Sequence, residues 1–183
     1  MHLQTRIMTA AAKVALISGL GLVRPTYVYA QAAASKLDDP TIVAIFDAAN
    51  TYDMETGALA VKKGHSSAVR DFGRMLVRDH QNVRAQGREL AKSLNVTPTL
   101  PRDFALAKAH VAAMRSLRAA RGKAFDRAFL QHEVDFHNAV IDAISKTLLP
   151  AIQNVRVKDL VTKVAPAFGA HRDRAQMLLD GLR

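Results

Sequence analysis

The 183-residue chain contains no cysteine and no tryptophan. Without cysteine there are no disulfide bonds, no catalytic thiol and no metal site built from thiolates. The absence of free thiols suits an oxidising compartment such as the bacterial periplasm, where a stray thiol is a liability. Chemistry in this protein must therefore rest on other side chains, and its seven histidines are the first to consider.

Acidic residues are in the minority, with 16 Asp and Glu against 26 Lys and Arg, for a formal net charge of +10. Three of the basic residues precede residue 31, where there is no acid, so the rest of the chain carries +7. A cationic protein is attracted to anionic membranes, polysaccharides and nucleic acids. Because the basic helix faces lack aromatic residues that could stack on bases, we expect no nucleic-acid partner.

Long hydrophobic runs are also missing. The most apolar stretch, residues 10–23, is short and contains Lys13 and two glycines, so it is not expected to span a membrane. It is flanked by basic residues and followed by Val28-Tyr29-Ala30, the small-x-small pattern that a signal peptidase reads. We therefore expect residues 1–30 to be a cleaved signal peptide and the protein to be periplasmic. Residues 31–38 then form a flexible lead-in to a single domain, residues 39–183.

Strand-like alternation is absent, and apolar residues instead recur three and four positions apart. This spacing, with its caps and breakers, predicts long helices over about residues 39–64, 67–94, 123–149 and 155–182, and a shorter one over 104–120. Pro150 is expected to end the third long helix and Pro166 to kink the last. The sequence thus predicts an all-α four-helix bundle with one additional short helix, which bridges the second and third long helices.

One polar residue interrupts the apolar stripe of each long helix: Glu55, His80, His137 and His171. An ionisable side chain in such a stripe is costly unless it has a partner. Imidazole and carboxylate groups on facing helices suit a first-row transition metal ion such as Zn, Fe, Mn or Cu. The pattern predicts a single-metal site in the bundle core.

The spacing along the chain argues against the simplest form of that site. Glu55 and His80 lie nine and sixteen residues from the turn at Gly64, an axial offset of ~10 Å. His137 and His171 lie thirteen and twenty-one residues from the turn expected at Pro150, which is a similar axial mismatch. A histidine on an apolar face is also often satisfied by a local hydrogen bond, so a purely structural polar core is the alternative.

A resemblance runs through the whole predicted domain, about residues 40–182. It is carried by these short motifs: Glu55-x-Gly57-x-Leu59-Ala60, Val69-x-x-Phe72, Asp79-His80, Phe125-Asp126-x-x-Phe129, His137, Pro166 and His171. They resemble an uncharacterised bacterial family, catalogued as a domain of unknown function with a ferritin-like fold, whose members are often labelled outer membrane proteins. The resemblance implies an exported helical bundle and no established activity. Phe129 replaces the tyrosine usual in the family, and Glu133 stands where a neutral residue is expected, which adds a candidate ligand one turn from His137.

Three functions are compatible with these features. The first is a binding or envelope-stress module, not a conventional enzyme, with one metal ion held by Glu55, His80, Glu133, His137 and His171. The second is a metal-dependent redox enzyme of ferritin-like type, which the small number of inward carboxylates disfavours because a di-iron site needs several. The third is a structural module that docks to anionic envelope polymers or a membrane surface through basic faces. Those faces are the exposed side of the second helix, including Arg74 and Arg78, and the residues Arg115, Arg118, Arg121, Lys123 and Arg127.

Overall fold

The computed structural model describes residues 37–182, so the predicted signal peptide and the lead-in up to residue 36 lie outside the described residues. The described residues form helices and no strand. The helices are α1 (Asp39–Lys63), α2 (Ser67–Ser93), α3 (Ala105–Ala119), α4 (Gly122–Ala143), a π-helix (Ile144–Leu148), α5 (Leu149–Ala151) and α6 (Val155–Asp180). The prediction of an all-α bundle with one short extra helix is confirmed. None of these helices combines the length and the apolar character needed to cross a membrane.

Two antiparallel helix pairs make up the bundle. α1 packs along α2, and α4 packs along α6, while contacts of α2 with α6 and of α1 with α4 close the bundle around one interior. The short helix α3 lies against α1 and α4 and carries the chain back along the bundle between the two pairs. Its C-terminal end is fixed by the Lys63 ammonium, which donates to the carbonyl oxygens of Leu117 at 3.1 Å and Ala120 at 2.7 Å.

The apolar core is divided into two clusters. One contains residues from the first half of α1 and of α6, among them Ile42, Phe46 and Val157. The other contains residues near the start of α2 and of α4, among them Phe72 and Phe125. Each long helix contributes to both clusters and carries buried polar residues where it passes from one cluster to the other. The bundle therefore has a polar layer between two apolar ones.

The backbones of α1 and α2 touch beside this layer. A Cβ atom on Gly73 would lie 2.6 Å from the carbonyl oxygen of Gly57, and one on Gly57 would lie 2.9 Å from the carbonyl oxygen of Gly73. Any side chain at either position would force the helices apart. These two glycines are therefore required by the close approach of α1 and α2.

Two aspartates connect the helix pairs, because each carboxylate accepts hydrogen bonds from the turn of the other pair. The Asp126 carboxylate, in the first turns of α4, accepts from the backbone N–H of His65 at 2.7 Å and of Ser66 at 2.9 Å, between α1 and α2. The Asp39 carboxylate, at the start of α1, accepts from the N–H of Gln153 at 3.0 Å and of Asn154 at 2.9 Å, just before α6. The pairs are thus held at both ends of the bundle.

The helical segment around Pro150 ends one residue after it. A π-helix precedes Pro150, and α5 ends at Ala151. The reversal of the chain accordingly lies at residues 152–154, where Asn154 caps α6 by accepting from the N–H of Arg156. Helix α6 runs from Val155 to Asp180 and contains Pro166, where the kink stays a prediction.

We expect Asp126→Asn to lower the free energy of unfolding by about 2–3 kcal/mol, measured by urea denaturation. Asp126 is 1% exposed. An amide in its place offers a single acceptor oxygen to the two N–H donors, so one buried N–H is left without an acceptor. The matched control is Asp142→Asn on the same helix, whose exposed pair with Lys146 contributes ~0.5 kcal/mol. Equal unfolding midpoints for the two variants would contradict the role assigned to Asp126.

Candidate metal centre

The polar layer collects ionisable side chains from all four long helices. α1 contributes Asp53, α2 contributes His80, α4 contributes Glu133 and His137, and α6 contributes His171. Their exposed fractions are 0% for Glu133 and His137, 1% for Asp53 and His80, and 5% for His171. Within the described residues, no lysine or arginine is buried to compensate the two carboxyl groups.

These side chains converge on one region. His80 Nε2 lies 3.2 Å from His171 Nδ1 and 3.5 Å from Asp53 Oδ2, and His137 Nε2 lies 3.9 Å from Asp53 Oδ1. One donor atom from each of His80, His137 and His171 lies within 4.8 Å of the other two, and the same holds for Asp53, Glu133 and His137. The two groups share His137, so the five residues form a continuous set of metal-ligating atoms.

The protonated nitrogens of His80 and His137 follow from their partners. His80 Nδ1 donates to Asn50 Oδ1 at 2.9 Å, and the Asn50 amide is oriented by donating its own Nδ2 to the Phe46 carbonyl at 2.8 Å. His137 Nδ1 donates to the backbone carbonyl of Glu133 at 2.9 Å. In both neutral imidazoles the proton therefore sits on Nδ1, and the Nε2 lone pair faces the layer.

His171 is oriented in the opposite sense. Its Nε2 donates to the Asp79 carboxylate at 3.2 Å, which leaves the lone pair on Nδ1. Nδ1 then faces His80 Nε2, itself without a proton, at 3.2 Å. Two nitrogen lone pairs at this distance repel each other, and a cation between the side chains relieves that repulsion. Hydrogen bonds from the outer nitrogen of each ligand to a carboxylate or carbonyl are the usual support of a metal-bound histidine.

Burial keeps the three imidazoles neutral. Burial, together with a smaller effect of the neighbouring histidines, lowers the pKa of His80 to about 2 and of His137 to about 3. The pKa of His171 is also lowered by burial, although Asp79 opposes the shift. Neutral imidazole is the form that binds a metal ion, so no proton has to leave these nitrogens at neutral pH.

The two carboxyl groups of the layer lack compensation. The oxygens of Asp53 and Glu133 have no hydrogen-bond donor outside this pair and the neighbouring Thr56, and His137 Nε2 is also without a partner. Burial raises the pKa of Asp53 well above its usual range, and the adjacent Glu133 raises it further. Burial also raises the pKa of Glu133 to about 7, against the opposing effect of Thr56 and Asp53. In the absence of a cation these groups must either hold protons or remain charged in a dry interior.

The structure brings together four of the five residues predicted as ligands: His80, Glu133, His137 and His171. Glu55 lies apart from them. Its side chain is 51% exposed, and its Oε2 is 2.7 Å from Nε2 of His110 on α3. The buried stripe of α1 runs through Asp53, Gly57 and Ala60, so Glu55 points outward where the sequence analysis expected it to point inward.

The predicted axial offset is also corrected. It followed from measuring both helix pairs from Gly64 and Pro150. With Asp53 as the α1 residue and the turn centred on His65, the separation along the axis from His80 falls to about three residues, or ~5 Å. With the second reversal near residue 153, His137 and His171 are about two residues out of step, or ~3 Å. Side chains bridge such differences readily.

Three contributors escaped the sequence analysis as site residues: Asn50, Asp53 and Asp79. Asn50 and Asp53 lie four and seven residues after Phe46 on the same helical face, so a second polar stripe on α1 was visible in the spacing. Asp79 immediately precedes His80, and nothing in the sequence indicates that it reaches across to α6. Its contact with His171 depends on how α2 and α6 pack.

Comparison with known proteins adds a family but no activity. No curated protein matches the chain, and no solved structure does. The model of one family, described as "Domain of unknown function (DUF4142)", matches residues 25–178, which is most of the chain and includes every residue of the polar layer. The protein therefore belongs to the DUF4142 family of unknown function.

Proposed function

We propose that the protein binds one first-row transition metal ion, Zn, Fe, Mn or Cu, in the polar layer. His80, His137 and His171 are its nitrogen ligands and Asp53 is its carboxylate ligand, with Glu133 beside them. The observation that carries the proposal is the combination of three inward-facing imidazole lone pairs with two buried carboxyl groups that no buried lysine or arginine compensates. Such a set is costly without a cation and well matched to one.

The arrangement of helices supports this proposal. In the order along the chain, a crossover separates two antiparallel helix pairs, which is the plan of ferritin-like folds. Bundles of that plan build metal sites from side chains on facing helices. Together with the signal sequence expected at residues 1–30, this gives a periplasmic metal-binding module with a role in the cell envelope.

The chain's own residues position the ligands. Asn50 and the Glu133 carbonyl hold the rings of His80 and His137, and Asp79 holds that of His171. A bound transition metal would supply a Lewis acid, or a redox couple if it is Fe, Mn or Cu. Glu133 adds a second buried carboxyl group beside the ligands, which a bound cation would favour in its charged form.

The direct test is the metal content of protein expressed from the full-length sequence and purified from the periplasm without a His tag or chelator. We expect about one metal ion per chain by elemental analysis, falling at least tenfold in His80→Ala and in His137→Ala. His65→Ala, which removes an exposed histidine, is the matched control and should retain the metal. Parent protein that neither carries nor takes up Zn, Fe, Mn or Cu would make the polar layer purely structural.

Asp53→Asn distinguishes the effect of the buried carboxyl group on stability from its effect on metal binding. In metal-free protein at pH 7.5 we expect the variant to be more stable than the parent by about 1–2 kcal/mol, because the amide removes a buried carboxyl group that lies beside Glu133 with no cation to compensate it. Its metal affinity should fall at least tenfold, because an anionic ligand is lost. Urea denaturation and metal titration measure the two effects. A variant that is destabilised and binds metal normally would show that Asp53 is not a ligand.

The alternative function, a metal-dependent redox enzyme, is tested by activity assays on the metal-loaded protein. Peroxide consumption or ferroxidase activity that disappears in His137→Ala would make the site catalytic. Loaded protein without either activity leaves a binding module.

A second candidate function is docking to anionic envelope polymers, and the distribution of ion pairs favours one surface for it. On α2, Arg74 pairs with Asp71, Arg78 with Asp79, and both Arg84 and Arg88 with Asp47, so this face is largely neutralised. Around the turn between α3 and α4 five exposed basic residues have no ion pair within the described part of the chain. Arg127 donates to the Leu182 carbonyl at 3.1 Å, and the other four are Arg115, Arg118, Arg121 and Lys123. We call these four the basic turn patch.

For this candidate we expect salt-sensitive pull-down with peptidoglycan or lipopolysaccharide. The double change Arg118→Glu and Arg121→Glu should reduce binding several-fold, because unpaired charges dominate attraction to a polyanion. Arg74→Glu with Arg78→Glu, on the paired face, should reduce it less. Equal losses from both pairs of changes would mean that net charge alone, and not the basic turn patch, directs binding.

A further inference from the structure

The polar layer is closed, and His171 is its one ligand with an edge near solvent. The outer nitrogens of His80 and His137 are bonded to Asn50, which is fully buried, and to a carbonyl inside α4. The outer nitrogen of His171 is bonded instead to Asp79, whose side chain is 31% exposed. Of the three groups that hold the outer nitrogens, the Asp79 carboxylate is the one that reaches solvent.

Helix α6 is weak immediately before His171. Pro166 has no N–H, so the carbonyl of Thr162 lacks its helical hydrogen bond. Gly169 is also inside the helix, and a Cβ atom there would meet nothing within 4 Å. Unlike Gly57 and Gly73, this glycine is not required by packing, yet a glycine inside a helix favours its opening. Two weakening residues thus lie within five positions of a buried ligand.

Between these two residues lies Phe168, which closes the layer from the side of α6. It is 2% exposed, and its ring centroid is 5.5 Å from that of His80 and 6.2 Å from that of His137. Because Phe168 and His171 are on the same segment, an opening of α6 there displaces both. The Nε2 atoms of His80 and His137 then become accessible together.

Asp79 holds the closed arrangement and stands where an incoming cation first meets the protein. One of its oxygens accepts from His171 Nε2, and the other accepts from Arg78 Nε at 2.8 Å. Arg78 is 68% exposed, so this outer pair is solvated and easily broken. With His171 displaced, the Asp79 carboxylate is a free oxygen ligand next in sequence to His80.

From these observations we propose that the metal ion is taken up and released past His171, by local opening of α6 between Pro166 and His171, with Asp79 as the positioning residue that closes the path. This inference rests on the proposed metal site and concerns its exchange with solvent. The opening sets the rate of exchange, while the ligands of the closed state set the affinity.

Gly169→Ala tests the inference, because it strengthens the helix without touching a ligand. The protein is expressed from its full-length sequence and made metal-free, and Co²⁺ serves as the probe because its binding is visible in absorbance. We expect Co²⁺ uptake, and its later transfer to excess chelator, each to slow about five-fold. Stoichiometry and equilibrium affinity should not change, and the urea midpoint should rise. Amide hydrogen exchange of residues 167–171 should slow in parallel.

Two further variants make the result specific. Pro166→Ala restores the missing N–H and should slow exchange again when combined with Gly169→Ala. Ser116→Ala raises helix propensity on the exposed side of α3 and should leave the Co²⁺ rates unchanged. Unchanged rates in Gly169→Ala and in the double variant, with Co²⁺ still bound, would overturn the α6 path and leave the metal site standing. Parent protein that binds no Co²⁺, Zn²⁺, Fe²⁺, Mn²⁺ or Cu²⁺ would instead overturn the proposed function, and this inference with it.

Discussion

The burial of three neutral imidazoles and two carboxyl groups in one layer is the constraint on which the rest of this bundle depends. Each imidazole must bond its outer nitrogen locally and turn its lone pair inward, and that fixes the rotation of α2, α4 and α6 about their own axes. The apolar residues then divide into a cluster on each side of the layer. A bundle with an apolar core throughout would be free of this requirement, so the polar layer costs stability in the metal-free protein and gives a defined arrangement in return.

Axial register matters as much as rotation, because the layer draws residues from both helix pairs. The ties made by Asp39 and Asp126 run between the pairs at opposite ends of the bundle. Each carboxylate accepts two backbone N–H groups of a turn and so fixes the height of that turn against the partner helix. With both ends fixed, His80 and His171 meet at the same level although 91 residues separate them in the chain.

The sequence was sufficient for the helices, for the Asp38 and Ser66 caps of α1 and α2 and for three of the histidines, because these depend on local spacing and capping chemistry. It was insufficient for α1, whose many alanines make several faces similarly apolar, so that Glu55 was preferred to Asp53 as the inward residue. The position of a chain reversal decides axial register, and the π-helix before Pro150 moves that reversal by several residues. Asp79 was beyond prediction as a partner of His171, since its role depends on the packing of α2 against α6.

The contact between Gly57 and Gly73 has a consequence for how the centre is assembled. Backbones in direct contact cannot slide or roll past each other without a clash, so α1 and α2 form a stiff unit from neighbouring parts of the chain. Asn50, Asp53 and His80 all belong to that unit, and their mutual distances follow from it alone. The α1–α2 hairpin therefore positions its half of the centre without help from the other helices. A metal ion would link these residues to the ligands carried by α4 and α6.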